Sequence, residues 1–102
     1  MKAYIQVITA VDNEEKAHEI ARFLLEKRVA ACVQIIPISS MYRWKGKIEK
    51  SREWLCLIKG KDFEKIESVI KKIHPYETPE IIEIPITQGN KKYLDWIDEE
   101  TS

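Results

Sequence analysis

The hydrophobic and polar positions of the chain follow the period of a strand first and that of a helix next. Residues 3–9 alternate and are rich in β-branched and aromatic side chains, which predicts a strand. Asp12 or Asn13 is placed to cap a helix, and apolar residues then recur on one helical face. That face consists of Ala17, Ile20, Ala21, Leu24 and Leu25. The chain therefore begins with a strand and an amphipathic helix.

Two long strands joined by a tight turn are predicted next. Residues 30–38 form a nearly continuous apolar run, typical of a strand covered on both faces, and extended character continues to Trp44. Lys45-Gly46 predicts the turn, and residues 48–59 return as the partner strand. Both strands exceed the usual length of about 5–6 residues. Pro37 cannot donate a backbone hydrogen bond, so we expect a bulge or kink there.

The second half of the chain predicts a helix, a strand and a short terminal helix. Asp62 caps the first of these, His74-Pro75 ends it, residues 81–86 form the strand, and Asn90 caps the last helix. The order is β-α-β-β-α-β plus a C-terminal helix. It predicts a ferredoxin-like α+β fold with both main helices on one face of an antiparallel sheet. The other face lacks helices although the second strand is apolar on both sides, and another copy of the chain is its simplest cover.

Length and charge narrow the possible functions. The 102 residues predict a single domain spanning residues 1–102. Acidic and basic residues number 17 each, so no general attraction to nucleic acid or anionic membranes is expected. No apolar run approaches the ~20 residues of a membrane span. Two cysteines do not form a disulfide framework, which favours a cytoplasmic protein with reduced thiols.

A metal site is not indicated by the spacing of the candidate ligands. These are Cys32, Cys56, His18 and His74. None lies at a spacing such as C-x-x-C or H-x-x-x-H. A two-residue turn places Cys32 opposite Lys59 and Cys56 opposite Ile35, so the thiols lie on opposite sheet faces unless a bulge at Pro37 shifts the register. Both thiols are expected to be small buried hydrophobic groups, and His18 is expected to be solvated.

His74 stands at a helix end, where the helix dipole favours its protonated form. Pro75 and Pro79 restrict the loop that follows, so the imidazole and the Tyr76 phenol are expected to be held in place. Two roles remain open for His74. It is either a helix-stop residue whose ring hydrogen-bonds the backbone, or a residue that binds a ligand.

No enzyme active site is indicated by the remaining polar and aromatic residues. The sequence shows no nucleophile with a base and an oxyanion hole, and no glycine-rich phosphate loop. Glu49 and Glu53 project from the same side of the third strand among basic residues, which favours a charge-paired surface over acid–base chemistry. The aromatic residues near the hairpin and the chain end favour a protein interface over RNA stacking, because no RNA-recognition signature is present. They are Tyr42, Trp44, Trp54, Tyr76, Tyr93 and Trp96.

Several segments together resemble the CutA family of divalent-cation tolerance proteins. They are residues 30–33 (AACV), 42–49 (YRWKGKIE), Glu53, residues 57–59 (LIK), 74–81 (HPYETPEI) and 93–96 (YLDW). The resemblance covers essentially the whole chain. It implies a fold close to that of PII signalling proteins and a tight homotrimer in which long hairpins pair with neighbouring subunits. It also implies a role in tolerance of copper or other divalent cations, with no established enzymatic activity and no tightly bound cofactor.

The resemblance further implies a cleft between subunits. Its ligand-binding residues would be Tyr42, Trp44, Glu49, Glu53, Lys59, Tyr76 and Trp96, and its metal ligands His74 and Cys32. The chain has Ile73 where a copper-binding relative has a second histidine, which weakens a tight copper site, and Gly60 where threonine is frequent. Modest binding of Cu(II) or another divalent cation is expected. The alternative function is that of a PII-like scaffold that regulates a protein partner.

Overall fold

The computed structural model describes residues 4–102 and confirms the predicted order of elements. The elements are β1 (Tyr4–Val11), α1 (Glu14–Glu26), β2 (Ala30–Trp44), β3 (Lys47–Gly60), α2 (Phe63–Ile73), β4 (Ile82–Ile86) and α3 (Lys91–Glu100). The sheet has the order β2-β3-β1-β4, and every neighbouring pair is antiparallel. This is the predicted ferredoxin-like α+β architecture. Residue 3, where the first strand was predicted to begin, lies outside the described residues.

Each helix begins at a side chain that accepts a backbone hydrogen bond. Asn13, rather than Asp12, caps α1 by accepting from the backbone N–H of Lys16 at 2.9 Å. Asp62 caps α2 and Asn90 caps α3 in the same way, as predicted. Such caps satisfy backbone N–H groups that the first helical turn leaves unpaired. None of the helices within residues 4–102 is long and apolar enough to span a membrane.

The hydrophobic core lies between one face of the sheet and helices α1 and α2. Alternate residues of β1 and β3, among them Val7 and Ile58, pack there against Ile20 and Ile70 of the helices. Leu25, predicted to share this face, is instead 42% exposed. Leu25 lies outside the roughly 100°-wide stripe of α1 that faces the sheet.

The β2–β3 hairpin extends over its full predicted length. Lys45 and Gly46 both have positive φ, at 51° and 81°, as a two-residue hairpin turn of type I′ requires. The predicted bulge at Pro37 is wrong, because the irregularity lies between Ala30 and Cys32 and Pro37 pairs regularly. β2 is an edge strand, and an edge strand tolerates the missing N–H of a proline.

The sheet surface opposite α1 and α2, called here the open face, carries isoleucines that are nearly half exposed. Strand alternation places Ile36, Ile82 and Ile84 on it, and they are 42%, 47% and 45% exposed. Ile8 and Leu57 lie between them and are half-buried. The prediction that the two main helices leave one apolar sheet face uncovered is therefore confirmed, although α3 reaches the end of that face near Cys32.

Candidate functional site

The predicted site residues fall into two groups at opposite ends of the open face. The hairpin-end group is Tyr42, Trp44, Glu49, Glu53, His74 and Tyr76, and the α3-end group is Cys32, Lys59 and Trp96. His74 contacts Ala10, which lies opposite Leu55, whereas Cys32 lies opposite Lys59. Leu55 and Lys59 are four residues apart on β3, a separation of about 13 Å along a strand. One subunit alone therefore does not bring the two groups together.

Glu53 and Tyr76 form the buried centre of the hairpin-end group. Glu53 lies on the open face with 7% of its surface exposed, and the Tyr76 hydroxyl donates to its Oε2 at 2.7 Å. Burial, and next the hydrogen bond and charge of Glu53, raise the pKa of Tyr76 far above its usual value, so the phenol remains a donor. The predicted charge-paired surface is wrong for Glu53, because no lysine or arginine of the described residues forms an ion pair with it.

His74 uses both ring nitrogens in hydrogen bonds to the backbone. Nε2 lies 2.8 Å from the carbonyl oxygen of Ala10, which can only accept, so Nε2 carries the proton. Nδ1 accepts from the backbone N–H of Tyr76 at 3.2 Å. The ring is therefore neutral, and it fixes the start of the loop that carries Tyr76.

Burial lowers the pKa of His74 below its usual value, against smaller raising effects of the Ala10 hydrogen bond, Glu53 and Asp12. The expectation that the helix dipole favours the protonated form is therefore wrong. His74 is the C-cap residue of α2, and burial of its ring outweighs the raising effects of Ala10, Glu53 and Asp12. Of the two roles left open by the sequence, this geometry is that of the helix-stop residue.

The hairpin-end group also borders a cavity of about 290 Å³. Its lining consists of Asp12, Tyr42, Trp44, Tyr76, Glu77 and Thr78. Tyr42 and Trp44 are two residues apart on β2 and so point to the same face. Glu49 lies opposite Tyr42 in the hairpin and is exposed. The predicted aromatic residues Tyr42, Trp44 and Tyr76 thus meet at one place.

The α3-end group lies where the C-terminal helix reaches the start of β2. Cys32 is half-buried, so the expectation of a buried thiol is wrong for it. Burial, and next the nearby Cys32 thiol, raise the pKa of Tyr93 in α3. Lys59 donates from Nζ to Oε1 of Gln34 at 2.9 Å. The ring of Trp96 lies 5.6 Å from that of Tyr93 and is 38% exposed.

Cys56 behaves as the sequence predicts. It lies opposite Ile35, on the sheet face opposite that of Cys32, and is completely buried. Burial raises the pKa of its thiol to about 11. A thiol that stays protonated in an apolar layer is a core residue and a poor metal ligand.

The side chains of one subunit do not fit a metal ion. The described residues contain no group of three or more histidine, cysteine, aspartate or glutamate side chains that could hold one. His74 has no free ring nitrogen in this arrangement, and Cys32 lies at the other end of the open face. A metal ion at His74 would require the ring to give up at least one backbone hydrogen bond.

Three neighbours of the site were not predicted from the sequence. Asp12 was considered only as a helix cap, yet it lines the cavity. Gln34 and the Ala10 carbonyl hold Lys59 and His74, respectively. The alternation of β2 places Gln34 on the same face as Cys32, and that was the available signal. No sequence pattern indicates which backbone carbonyl a distant histidine will contact.

Comparison with known proteins agrees with this architecture. The family model described as CutA1 divalent ion tolerance protein matches residues 5–100. A divalent-cation tolerance protein CutA from Thermus thermophilus is 45% identical over 98 residues, which cover 93% of this chain and 95% of that protein. A solved CutA structure from Archaeoglobus fulgidus superposes with a TM-score of 0.95 at 40% identity, covering 97% of this chain and 99% of that one.

The similar proteins differ in their described location. The Archaeoglobus protein is described as periplasmic. An Arabidopsis thaliana CutA protein described as chloroplastic is 37% identical over 100 residues, which cover 95% of this chain and 55% of that protein. Family membership therefore does not fix the compartment. The family model and the Thermus relative each match nearly the whole chain, and the chain belongs to the CutA family of divalent-ion tolerance proteins.

Proposed function

We propose that the chain acts in divalent-cation tolerance as a homotrimer that binds a metal ion or small ligand between its subunits. The observation that carries this proposal is the open face. Three isoleucines there expose more than 40% of their surface, and Ile8 and Leu57 lie between them. Contiguous apolar surface of this kind marks an interface in a protein with a charged exterior.

The strand edges support self-association as well. β2 and β4 are the outer strands of the sheet, so each presents backbone groups that this chain does not pair. β2 has 15 residues and β4 only five. The long hairpin therefore offers a neighbouring subunit a longer edge than β4 can. A chain of 102 residues has a modest core of its own, and burial between subunits would add to it.

A site between subunits would also account for the separation of the predicted site residues. The hairpin-end and α3-end groups lie about 13 Å apart along the sheet of one chain. A neighbouring subunit could bring its own Cys32 and Lys59 to the Glu53 and Tyr76 of the first. A site for Cu(II) or another divalent cation that uses both His74 and Cys32 needs such an arrangement. It also needs a rotation of the His74 ring.

Assembly is tested by sedimentation velocity of the wild type and two matched variants. Ile84→Lys places a charge on the open face, whereas Leu25→Lys places one at a similarly exposed position on α1. We expect the wild type and Leu25→Lys to sediment as trimers and Ile84→Lys to dissociate. A wild type that is monomeric at micromolar concentration contradicts the proposal.

Metal binding is tested by copper titration of the wild type, His74→Ala and Cys32→Ser. We expect modest binding by the wild type and weaker binding by both variants. Equal and negligible copper binding by the wild type and both variants would contradict the metal site. The proposal of a small ligand between the subunits would then remain. A stoichiometric protein partner, captured without any effect of metal ions, would instead favour the PII-like regulator.

We also propose a cytoplasmic location and no catalytic role. Both cysteines are free, which suits a reducing compartment. The similar proteins are named for tolerance of divalent cations rather than for a reaction. Fractionation of the source cells tests the location, and recovery in a periplasmic or organelle fraction would overturn it.

A further inference from the structure

We propose that the cavity at the hairpin end binds the ammonium or guanidinium head group of a small organic cation. The cavity lies beside the C-terminal end of β2, next to the loop after α2. Asp12, which precedes the N-cap residue of α1, also lines it. This inference rests on the proposed function in one respect, since it assigns a ligand class to the predicted ligand-binding residues Tyr42, Trp44 and Tyr76.

The walls of the cavity are mostly aromatic. Tyr42, Trp44 and Tyr76 contribute three rings, and the first two leave 43% of their surface exposed. The face of an aromatic ring attracts a cation within about 6 Å of its centre. Lys45 already places Nζ 5.8 Å from the centre of the Trp44 ring, although Lys45 does not line the cavity. The Trp44 ring is thus positioned to take part in this kind of contact.

The charged side chains that line the cavity are both acidic. They are Asp12 and Glu77, and among the described residues no lysine or arginine forms an ion pair with either. Glu53 lies behind the Tyr76 hydroxyl, and both Glu53 and Asp12 are close enough to raise the pKa of Tyr76. An anion would meet these carboxylates unfavourably, whereas a cation with N–H groups could donate to them.

Size and wall chemistry favour an organic head group over a bare metal ion. A volume of about 290 Å³ lies just below the roughly 300–1,000 Å³ of small-molecule sites, which suits a small head group. Mg²⁺ and Ca²⁺ take six or more oxygen ligands, whereas three of the six residues that line this cavity are aromatic. A guanidinium can stack on a ring and donate in its plane, which suits rings and carboxylates at the same site.

The test uses ethylguanidinium and its uncharged analogue ethylurea as probes of nearly equal shape. Binding to the assembled protein is followed through backbone amide chemical shifts. We expect ethylguanidinium to shift the amides of residues 76–78 and 42–44 and to bind about tenfold more tightly than ethylurea. Equal binding of the two probes, or no binding of ethylguanidinium, overturns the inference.

Variants locate the binding. Glu77→Gln and Trp44→Leu should each weaken ethylguanidinium binding about fivefold or more, while Glu80→Gln, in the same loop but outside the lining, should not. Binding that all three variants leave unchanged places the probe elsewhere and contradicts the inference. Subunit mass is measured on the same samples. A trimer that does not bind ethylguanidinium contradicts only this inference. A monomer contradicts the proposed function.

Discussion

The Tyr76 hydroxyl donates a 2.7 Å hydrogen bond to the Glu53 carboxylate, and this bond ties the loop after α2 to the open face. Tyr76 reaches Glu53 because His74, two residues earlier, accepts from the Tyr76 backbone N–H and donates to the Ala10 carbonyl. The rings of His74 and Tyr76 also meet edge to face, with centres 4.7 Å apart. A continuous set of hydrogen bonds thus connects β1, the loop and β3.

Removing the Tyr76 hydroxyl leaves Glu53 as a buried carboxylate without this donor. We expect Tyr76→Phe to lower the free energy of unfolding by about 2 kcal/mol, the usual cost of an unsatisfied buried polar group. Glu53→Gln keeps an acceptor for the hydroxyl and should cost less. Urea unfolding at one fixed protein concentration measures both, because assembly makes stability concentration-dependent. A Tyr76→Phe variant as stable as the wild type would show that Glu53 does not depend on this bond.

Acidification should destabilise the fold through His74. Burial lowers the pKa of His74 in the folded chain, so the unfolded chain binds the proton more readily. Stability is then full above the usual histidine pKa of about 6.5 and falls as the pH drops below it. Unfolding measured between about pH 7 and 5.5, above the carboxylate range, follows this loss.

The control for His74 is the exposed histidine of α1. His74→Gln should flatten the pH dependence in that interval, and His18→Gln is the comparison because His18 is solvent-exposed. If the two variants have the same pH profile, the buried ring is not the group that titrates.

The long-range register could be predicted from the sequence, whereas the environment of His74 could not. A two-residue turn at Lys45-Gly46 fixes the pairs of the hairpin as far as Cys32 and Lys59, so the pairing of Ile35 with Cys56 followed by counting. Desolvation of His74 depends on how the loop after α2 folds against β1, which no local pattern encodes. The helix end was visible in the sequence, whereas the burial that lowers the pKa of His74 was not.

Replacement of the buried Thr9 hydroxyl is expected to raise the free energy of unfolding. Its hydroxyl is completely buried in the core layer and has no hydrogen-bond partner among the described residues. Thr9→Val keeps the shape and removes the unpaired group, so we expect it to raise the free energy of unfolding by about 1 kcal/mol. Thr9→Ala, which also leaves a cavity, should not. Stabilisation by Ala but not by Val would contradict the unsatisfied hydroxyl as the cause.

Lys45 holds a left-handed backbone conformation that favours asparagine or glycine. Its φ of 51° belongs to a type I′ turn, in which Asn-Gly is the preferred pair. Lys45→Asn should stabilise the hairpin by about 1 kcal/mol. Lys47→Asn changes the same side chain at a strand position and should bring no gain. Thermal unfolding of the two variants compares them, and equal melting temperatures would argue against strain at Lys45.

Gly60, one of the positions at which the sequence departs from the family pattern, lies close to a neighbouring backbone segment. A Cβ added there would lie 2.7 Å from the Val29 carbonyl oxygen and 2.9 Å from Cδ1 of Ile66. The close approach of this backbone leaves no room for a side chain unless its neighbours move. The sequence shows that residue 60 is a glycine, but the distance from Gly60 to Val29 is known only from the folded chain. The steric reason for the glycine could therefore not be predicted.

Native mass spectrometry of the protein purified from its source tests the central claim most directly, because it reports the number of subunits and any retained ligand together. A homotrimer with a site between subunits predicts a single species at three times the 12.0 kDa chain mass, with or without an added ligand mass. A species at the mass of one chain would contradict both the covering of the open face by other copies and the site between them.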